Sequence, residues 1–301
     1  MNRIVFFCCL ALILNACEGF FSSTLEVEPP PHEAQMVLHT VITDVDTVFY
    51  AAVGQSVGIL DNRDREELFL NDAEITFYEG EQKWFDLDLR SSEPGEFVLY
   101  NFEKRNLSQA IEPGQTYTYT VKHPSFGEIS ASQTMPQPVP ITETIIRDDH
   151  SVNEDGQRTD QAEITFTDPG GSDHYYEIAL LVKESLGTES FYNPIYTTTL
   201  DPNLSEGLDQ SFLLSDESFN GKEYKILLDF SPYWTEGSDV AVYAVWRTVT
   251  RDYFLYTKSV SAQEAADDFA FFAEPVSLHT NINNGLGIFG MRTETLVRLS
   301  D

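Results

Sequence analysis

One cysteine near the amino terminus stands where a lipid could be attached. Residues 14–17 read Leu-Asn-Ala-Cys and follow Arg3 and an apolar run over residues 4–14. That run is 11 residues long, short of the ~20 that a membrane-spanning helix needs, so it is typical of a signal peptide. The pattern before Cys17 is the one that lipoprotein signal peptidase cuts, after which the sulfur takes a diacylglycerol as a thioether. We predict a signal peptide over residues 1–16 and lipidation of Cys17.

The remaining cysteines, Cys8 and Cys9, lie inside the predicted signal peptide, so no thiol follows Cys17. A disulfide framework and a cysteine-ligated metal site are therefore excluded for the folded part. This distribution favours lipidation over the alternative, an ordinary secretory signal with an incidental cysteine. Because each buried CH₂ contributes ~0.8 kcal/mol, two or three acyl chains hold a protein on a membrane almost permanently.

A glycine motif near the carboxyl terminus matches G-x-G-x-x-G through Gly285, Gly287 and Gly290. Nucleotide binding needs that motif at the start of a helix, with an acidic residue ~20 positions further on. Here the chain ends eleven residues after Gly290, and the residues that follow it alternate like a strand. We therefore predict no nucleotide. The glycines, with Asn281 and Asn284 before them, form a structural motif that allows close backbone approach as the last strand enters its sheet.

Other residues with metal or catalytic potential form no complete site. Asp216, Ser218 and Asn220 resemble the start of a calcium-binding loop, but the position that should close the cage is Leu227. The six histidines form no ligand-like cluster, and there is no G-x-S-x-G sequence. With 49 acidic residues, no single carboxylate pair is informative. We predict no metal, no cofactor and no enzymatic activity, and a hydrolase is the least favoured alternative.

Two adjacent aromatic residues, Tyr233 and Trp234, lie in a predicted loop between strands. Loops on a rigid β-scaffold often carry binding residues, and such a pair could stack on a sugar ring or another apolar ligand face. The alternative is that the pair pins the loop onto its own core. Tyr233 and Trp234 are thus candidate ligand contacts.

Charge and composition limit the possible partners. The chain has 301 residues with 18 basic and 49 acidic side chains, a net charge of −31, and 42% hydrophobic residues. It is too apolar to be disordered, and its charge argues against nucleic-acid binding and against electrostatic docking on anionic lipids. At ~150 residues per domain, the length predicts about two globular units.

Strand-like segments must position these residues. After a proline-containing lipid-anchored linker over residues 17–34, short alternating segments separated by turn residues predict an all-β fold. The prolines Pro136, Pro138 and Pro140 form a stiff connector. We therefore predict an immunoglobulin-like or transthyretin-like β-sandwich over residues 35–138, and a larger β-rich domain over residues 139–301. The second has one helix over residues 251–267, and an acidic loop over residues 148–160.

Several motifs resemble a known family. The most specific runs from Phe272 to Val276 and from Thr280 to Gly290. Supporting matches are Ile164 to Pro169, Tyr175-Tyr176, Asp216 with Phe219 to Lys222, and Asp252-Tyr253. They resemble a Bacteroidota lipoprotein family, domain-of-unknown-function family four-two-four-nine, and the resemblance covers nearly the whole mature chain. The chain departs from that pattern at Asp216-Glu217 and in a polar insertion near Asp61.

The resemblance implies a role at the outer membrane. Proteins of this kind resemble outer-membrane accessory lipoproteins, often encoded near TonB-dependent receptors, and no established activity can be carried over to residues here. We expect a lipid-anchored, non-catalytic outer-membrane or cell-surface protein that binds a ligand or partners a TonB-dependent transporter. The alternative is a structural or adhesive surface protein.

Overall fold

The computed structural model describes residues 31–58, 61, 63–90, 99–103, 110–153, 156–186, 189–231, 239–267 and 276–299. Most of this part is β-strand, which confirms the predicted all-β class. The strands are β1 (Met36–Thr43), β2 (Val48–Gln55), β3 (Glu74–Glu79), β4 (Gln82–Arg90), β5 (Leu99–Glu103), β6 (Thr116–His123), β7 (Gly127–Thr134), β8 (Ile141–Val152), β9 (Arg158–Thr167), β10 (Tyr175–Leu186), β11 (Glu189–Pro194), β12 (Thr197–Thr198), β13 (Leu204–Glu206), β14 (Phe212–Ser215), β15 (Glu223–Phe230), β16 (Asp239–Val249) and β17 (Leu286–Arg298). Helix α1 spans Arg251–Asp267 as predicted, and short 3-10 turns lie at Arg65–Leu68 and Asp216–Ser218.

Alternating side chains explain why these segments form strands. In β6, Tyr117, Tyr119 and Val121 are buried, while the threonines between them face outward or are half-buried. Phe77 of β3 lies against two of these rings, at centroid distances of 5.5 Å from Tyr117 and 4.7 Å from Tyr119. Aromatic and β-branched side chains that alternate in this way cover one face of a pleated sheet and bury it.

Two sheets contain the named strands. The larger has 13 strands in the order β13-β14-β10-β16-β17-β1-β2-β5-β4-β3-β6-β7, with β11 also paired to β10. The smaller has four strands in the order β12-β15-β9-β8. In the larger sheet, β1 and β17 pair in parallel, so the first and last strands of the described chain are neighbours. The described residues of 34–56 and 63–299 form one compact unit.

The buried apolar residues fall into three clusters. The first contains residues between Met36 and Met135, together with Ile282, Phe289 and Met291 from the end of the chain. The second extends from Val139 to Trp246 and includes Leu299. The third lies under α1. The predicted division into domains at residues 138 and 139 stays a prediction, and the change of cluster occurs in the same region of the sequence.

The prediction of an acidic loop over residues 148–160 is wrong. Strands β8 and β9 continue through most of it, pairing Ser151 with Thr159 and Val152 with Arg158. The Ser151 and Thr159 hydroxyls also hydrogen-bond each other at 2.6 Å. Backbone ladder bonds and cross-strand polar pairs form here without an apolar face, because most of this part of β8 is exposed. The alternation of apolar and polar residues along a sequence therefore cannot identify a strand of this kind.

A cross-strand ion cluster joins β8, β9 and β15, and it gives the fold a predictable response to acid. Glu163 of β9 receives side-chain hydrogen bonds from Arg147 of β8 and from Lys225 of β15, the latter at 2.8 Å. These hydrogen bonds lower the pKa of the Glu163 carboxyl to about 2. A carboxyl with a depressed folded-state pKa stabilises the fold above its unfolded pKa, and this contribution is lost as pH falls toward the folded value.

We therefore expect Glu163→Gln to remove part of the acid sensitivity. Because the two basic partners are about half exposed, the loss of stability at pH 7 is about 1 kcal/mol rather than the full linkage value. Urea unfolding between pH 7 and pH 2.5 measures it: the two stability curves should converge below pH ~4. A constant difference between wild type and Glu163→Gln down to pH 2.5 would contradict this role.

Helix α1 covers the large sheet. Tyr253, Phe254 and Thr257 are buried, whereas residues of its opposite face, such as Lys258, are exposed. Tyr256 and Val260 are half-buried. None of the described helices has the length and apolar character needed to cross a membrane.

Candidate functional site

Several predicted site residues lie outside the described part of the chain. Cys17 precedes it, and Tyr233 and Trp234 fall in the gap between residues 231 and 239. Lipidation of Cys17 and ligand contact by Tyr233 and Trp234 therefore stay predictions.

The glycine motif lies in and just before β17. Gly287 has a φ of +107°, and a Cβ built on it would be 2.0 Å from the Leu38 carbonyl oxygen of β1. A Cβ on Gly285 would meet the Met36 carbonyl oxygen at 2.7 Å, and one on Gly290 would meet the Tyr253 ring at 2.9 Å. These glycines allow the β17 backbone to approach β1 and α1 closely.

The two asparagines of the motif have separate positions. The Asn281 amide donates to the Phe289 carbonyl at 2.8 Å and accepts from the Phe289 N–H at 2.9 Å. The Asn281 side chain thereby makes the two hydrogen bonds with the Phe289 backbone that a neighbouring strand would otherwise make. Asn284 has a φ of +59° in the turn that leads into β17, a conformation that asparagine tolerates better than most side chains.

A polar cluster of Asp168, His174 and Asp216 is the candidate site that the fold assembles. Asp168 follows β9 in the Asp-Pro-Gly-Gly turn, His174 precedes β10, and Asp216 follows β14. His174 Nδ1 lies 3.2 Å from Asp168 Oδ1 and 3.3 Å from Asp216 Oδ2. Both carboxylates are buried, and the His174 side chain is 20% exposed. The expectation that no histidine joins a ligand-like cluster is therefore wrong at His174, because the β9–β10 connection, which carries Asp168 and His174, meets the β14–β15 connection, which carries Asp216.

Hydrogen bonds determine the charge of Asp168. Burial alone would raise its pKa, but donation from the Gly221 N–H, the Tyr176 hydroxyl and the Gly170 N–H outweighs burial and lowers the pKa. The Gly221 and Gly170 bonds are both 2.8 Å long. Burial, followed by the hydrogen bond to Asp168, raises the pKa of the Tyr176 hydroxyl. Asp168 is thus an ionised acceptor and Tyr176 a neutral donor.

The three side chains could supply metal ligands, since their ligand atoms lie within 4.8 Å of one another. The carboxylate oxygens among these ligand atoms, however, already accept hydrogen bonds. Asp216 Oδ2 accepts from the His174 N–H at 3.0 Å and from the Asn220 amide at 2.8 Å. A cation would have to displace these N–H groups and the Tyr176 hydroxyl. The chemistry of the cluster is therefore that of a hydrogen-bonded hub, which fastens the β9–β10 connection to the β14–β15 connection.

A cleft of about 960 Å³ opens beside this hub. Its walls include His174, the connector of residues 135–140, and the start of α1 at Arg251 and Asp252. Asp252 is held by the His279 ring at 2.8 Å and by the Gln133 amide at 2.6 Å. Burial alone would raise the pKa of Asp252. The hydrogen bonds from His279 and Gln133 outweigh burial, so the pKa lies below its ordinary value.

A second buried charge network was missed by sequence reasoning. Glu177 of β10 is 2% exposed and accepts from Arg247 Nη1 at 3.0 Å and Arg292 Nη1 at 3.3 Å. The Tyr253 hydroxyl donates to it at 3.1 Å, and the Ser211 hydroxyl at 2.9 Å. Burial, followed by the Glu177 charge, raises the pKa of Tyr253 to about 12. The signal in the sequence was a charged residue, Glu177, among the apolar residues of β10. The structure pairs it with Arg247 of β16.

Comparisons with known proteins show a family. A family model described as "Domain of unknown function (DUF4249)" matches residues 22–297. No curated protein matches the chain. Among solved structures, the yeast delta-COP-I mu-homology domain aligns over 87% of this chain and 93% of its own, with 9% identity and a TM-score of 0.22, values too low to carry an argument. Because the family model spans most of the sequence, the chain belongs to the DUF4249 family.

Proposed function

We propose that this protein is a lipid-anchored, non-catalytic accessory protein of the outer membrane, which binds a ligand or partners a TonB-dependent transporter. The observation that carries the proposal is Cys17 after Leu14-Asn15-Ala16, with no later cysteine in the chain. A lipid on that sulfur would place the β-rich body at a membrane surface. The resemblance of Thr280 to Gly290 to the carboxyl-terminal motif of Bacteroidota lipoproteins supports the choice of the outer membrane.

The use of buried polar groups supports binding rather than catalysis. Asp168 and Asp216 accept hydrogen bonds from backbone N–H groups and neighbouring side chains. Glu177 is neutralised by two arginines. Catalytic carboxylates need access to a reacting group, whereas these three hold strands and turns together. Recognition would then use surface pockets, loops and strand edges.

Replacing Cys17 by Ala should release the protein from the membrane. Without the thiol, no diacylglycerol can be attached, and the remaining charge of the chain gives no attraction to anionic lipid. Membrane fractionation with a carbonate wash should move most of the protein to the soluble fraction or leave it as uncleaved precursor. Mass spectrometry of the wild type should find an acylated cysteine at the amino terminus.

The matched control is Cys9→Ala, which changes a cysteine of the signal peptide and keeps Cys17. It should stay in the membrane fraction. Retention of mature Cys17→Ala in the membrane after the carbonate wash, or an unmodified amino terminus on wild-type protein, would overturn the anchor.

A pull-down from solubilised outer membrane tests the partner. Co-purification of a TonB-dependent receptor with wild-type protein supports the accessory role. Its absence, together with adhesion of the protein to cells or matrix, would favour the structural or adhesive alternative.

A further inference from the structure

A pocket of about 470 Å³ lies between edge strands of the two sheets. One wall is β12, which ends the smaller sheet, and the other is the turn over residues 206–212 that joins β13 to β14 at the end of the larger sheet. Small-molecule sites commonly measure about 300–1,000 Å³. This pocket is separate from the Asp168–His174–Asp216 hub, and none of the predicted site residues lines it.

The pocket is lined by polar side chains that the fold leaves unused. Within the described part of the chain, no side-chain hydrogen bond is made by Tyr196, Thr197, Thr198, Glu206 or Gln210. Two other lining residues are engaged: the Thr199 hydroxyl donates to the Leu227 carbonyl, and the Ser211 hydroxyl donates to Glu177. A pocket in which most polar side chains remain available for hydrogen bonds is suited to a polar ligand.

Thr197 is the most informative of these residues. It is 6% exposed, and its hydroxyl is buried without a partner in the described structure. An unsatisfied buried hydroxyl costs about 1–3 kcal/mol, a cost that a ligand hydroxyl would remove once neighbouring side chains shift to admit it. Thr197 is held in place by backbone pairing with Phe230 of β15.

The opposite wall is fixed in an unusual conformation. Asp209 and Gln210 have consecutive positive φ values of 51° and 62°. The turn is closed by the Gly207 N–H, which donates to the Ser211 carbonyl at 2.8 Å. Non-glycine residues in this region store strain, and such strain occurs often at ligand clamps. Gln210 is therefore presented on a preorganised turn.

The chemistry of the lining selects one ligand class. The Tyr196 ring is 73% exposed and offers an aromatic face at the pocket. Hydroxyl, amide and carboxylate groups surround it, and none of the described lining residues is basic. An anionic ligand would meet Glu206 and a chain of net charge −31 without a compensating cation. An aromatic face beside neutral hydrogen-bonding groups suits a sugar ring, which has an apolar face and a rim of hydroxyls.

We propose that the pocket of Tyr196, Thr197, Thr198, Glu206 and Gln210 binds a neutral carbohydrate. Tyr196 stacks on the sugar ring, and the four polar side chains hydrogen-bond its hydroxyls. The inference deepens the proposed ligand binding and rests on it, but its assay needs neither the lipid nor a transporter. Its failure would therefore leave the Cys17 and pull-down results standing.

Calorimetric titration of the full chain tests the proposal. The protein is purified in lauryldimethylamine oxide, a detergent without a sugar headgroup, and titrated with neutral gluco-, manno-, galacto- and xylo-oligosaccharides and with an oligogalacturonate. At least one neutral oligosaccharide should bind, and the oligogalacturonate should bind more weakly. Tyr196→Ala and Thr197→Val should each weaken binding about tenfold or more.

The matched control is Leu200→Ala, because Leu200 is 97% exposed, lies four residues from Tyr196 and does not line the pocket. It should bind as the wild type does. Thr197→Val should melt at the same or a higher temperature, since it removes an unpaired buried hydroxyl, so weaker binding by this variant cannot be attributed to unfolding. Lack of binding to all neutral oligosaccharides at millimolar concentration, stronger binding of the uronate, or equal affinity of Thr197→Val and wild type would overturn the proposal.

Discussion

Replacing Gly287 by Ala should prevent stable folding of the carboxyl-terminal strand. The new Cβ would lie 2.0 Å from the Leu38 carbonyl oxygen and 2.9 Å from the carbonyl carbon, so the backbones of β1 and β17 would have to separate. Alanine would also hold an unfavourable φ of +107°. Conformational strain of about 1–3 kcal/mol and overpacking of about 1–3 kcal/mol together predict a loss of about 4 kcal/mol. Thermal melting and urea unfolding measure the change.

The matched control is Gly127→Ala. Gly127 also has a positive φ, +78°, but a Cβ there would meet nothing within 4 Å. This variant carries conformational strain without the steric clash, so it should lose only about 1 kcal/mol. If Gly287→Ala were as stable as Gly127→Ala, the close parallel approach of β17 to β1 would not be what requires glycine there.

Local patterns were enough to predict most of the strands. The alternation in β3 and β6 places Ile75, Phe77, Tyr117 and Tyr119 on one buried face, and it is readable from a few consecutive residues. Turn residues were equally direct. Gly114 has a φ of +84° in the turn Glu112-Pro113-Gly114-Gln115, where proline followed by glycine is typical of a type II turn. These features depend on side-chain spacing and backbone preference, both of which act over short distances along the chain.

Contacts between distant segments could not be read in this way. The parallel pairing of β1 with β17 joins residues about 250 positions apart, as Val37 with Leu286, and no local pattern encodes it. The hub of Asp168, His174 and Asp216 likewise depends on two connections, β9–β10 and β14–β15, which meet only after these four strands are placed. The sugar pocket that we propose arises from two sheet edges. Its residues are a tyrosine, two threonines, a glutamate and a glutamine that no motif connects in the sequence, and only the fold brings them together.

The second prediction concerns Glu177, whose replacement by Leu should destabilise the larger sheet strongly. Arg247 and Arg292 both donate to this carboxylate from strands β16 and β17, and their side chains are only 17% and 22% exposed. Removing the carboxylate leaves two positive charges facing each other in a largely dry site. Breaking a buried ion pair from one side costs about 3–5 kcal/mol, which urea unfolding at pH 7 would measure.

The effect should depend on charge and not on the loss of packing alone. Glu294→Gln is the matched control, since Glu294 is 26% exposed and pairs with Arg247 from the outer side; it should lose less than about 1 kcal/mol. In a double-mutant cycle, Glu177→Leu with Arg247→Leu should be less destabilised than the sum of the single variants, because the second change removes one of the two positive charges that Glu177 balances. Additive losses would mean that Glu177 contributes through packing, and that the two arginines find other partners or water once it is gone.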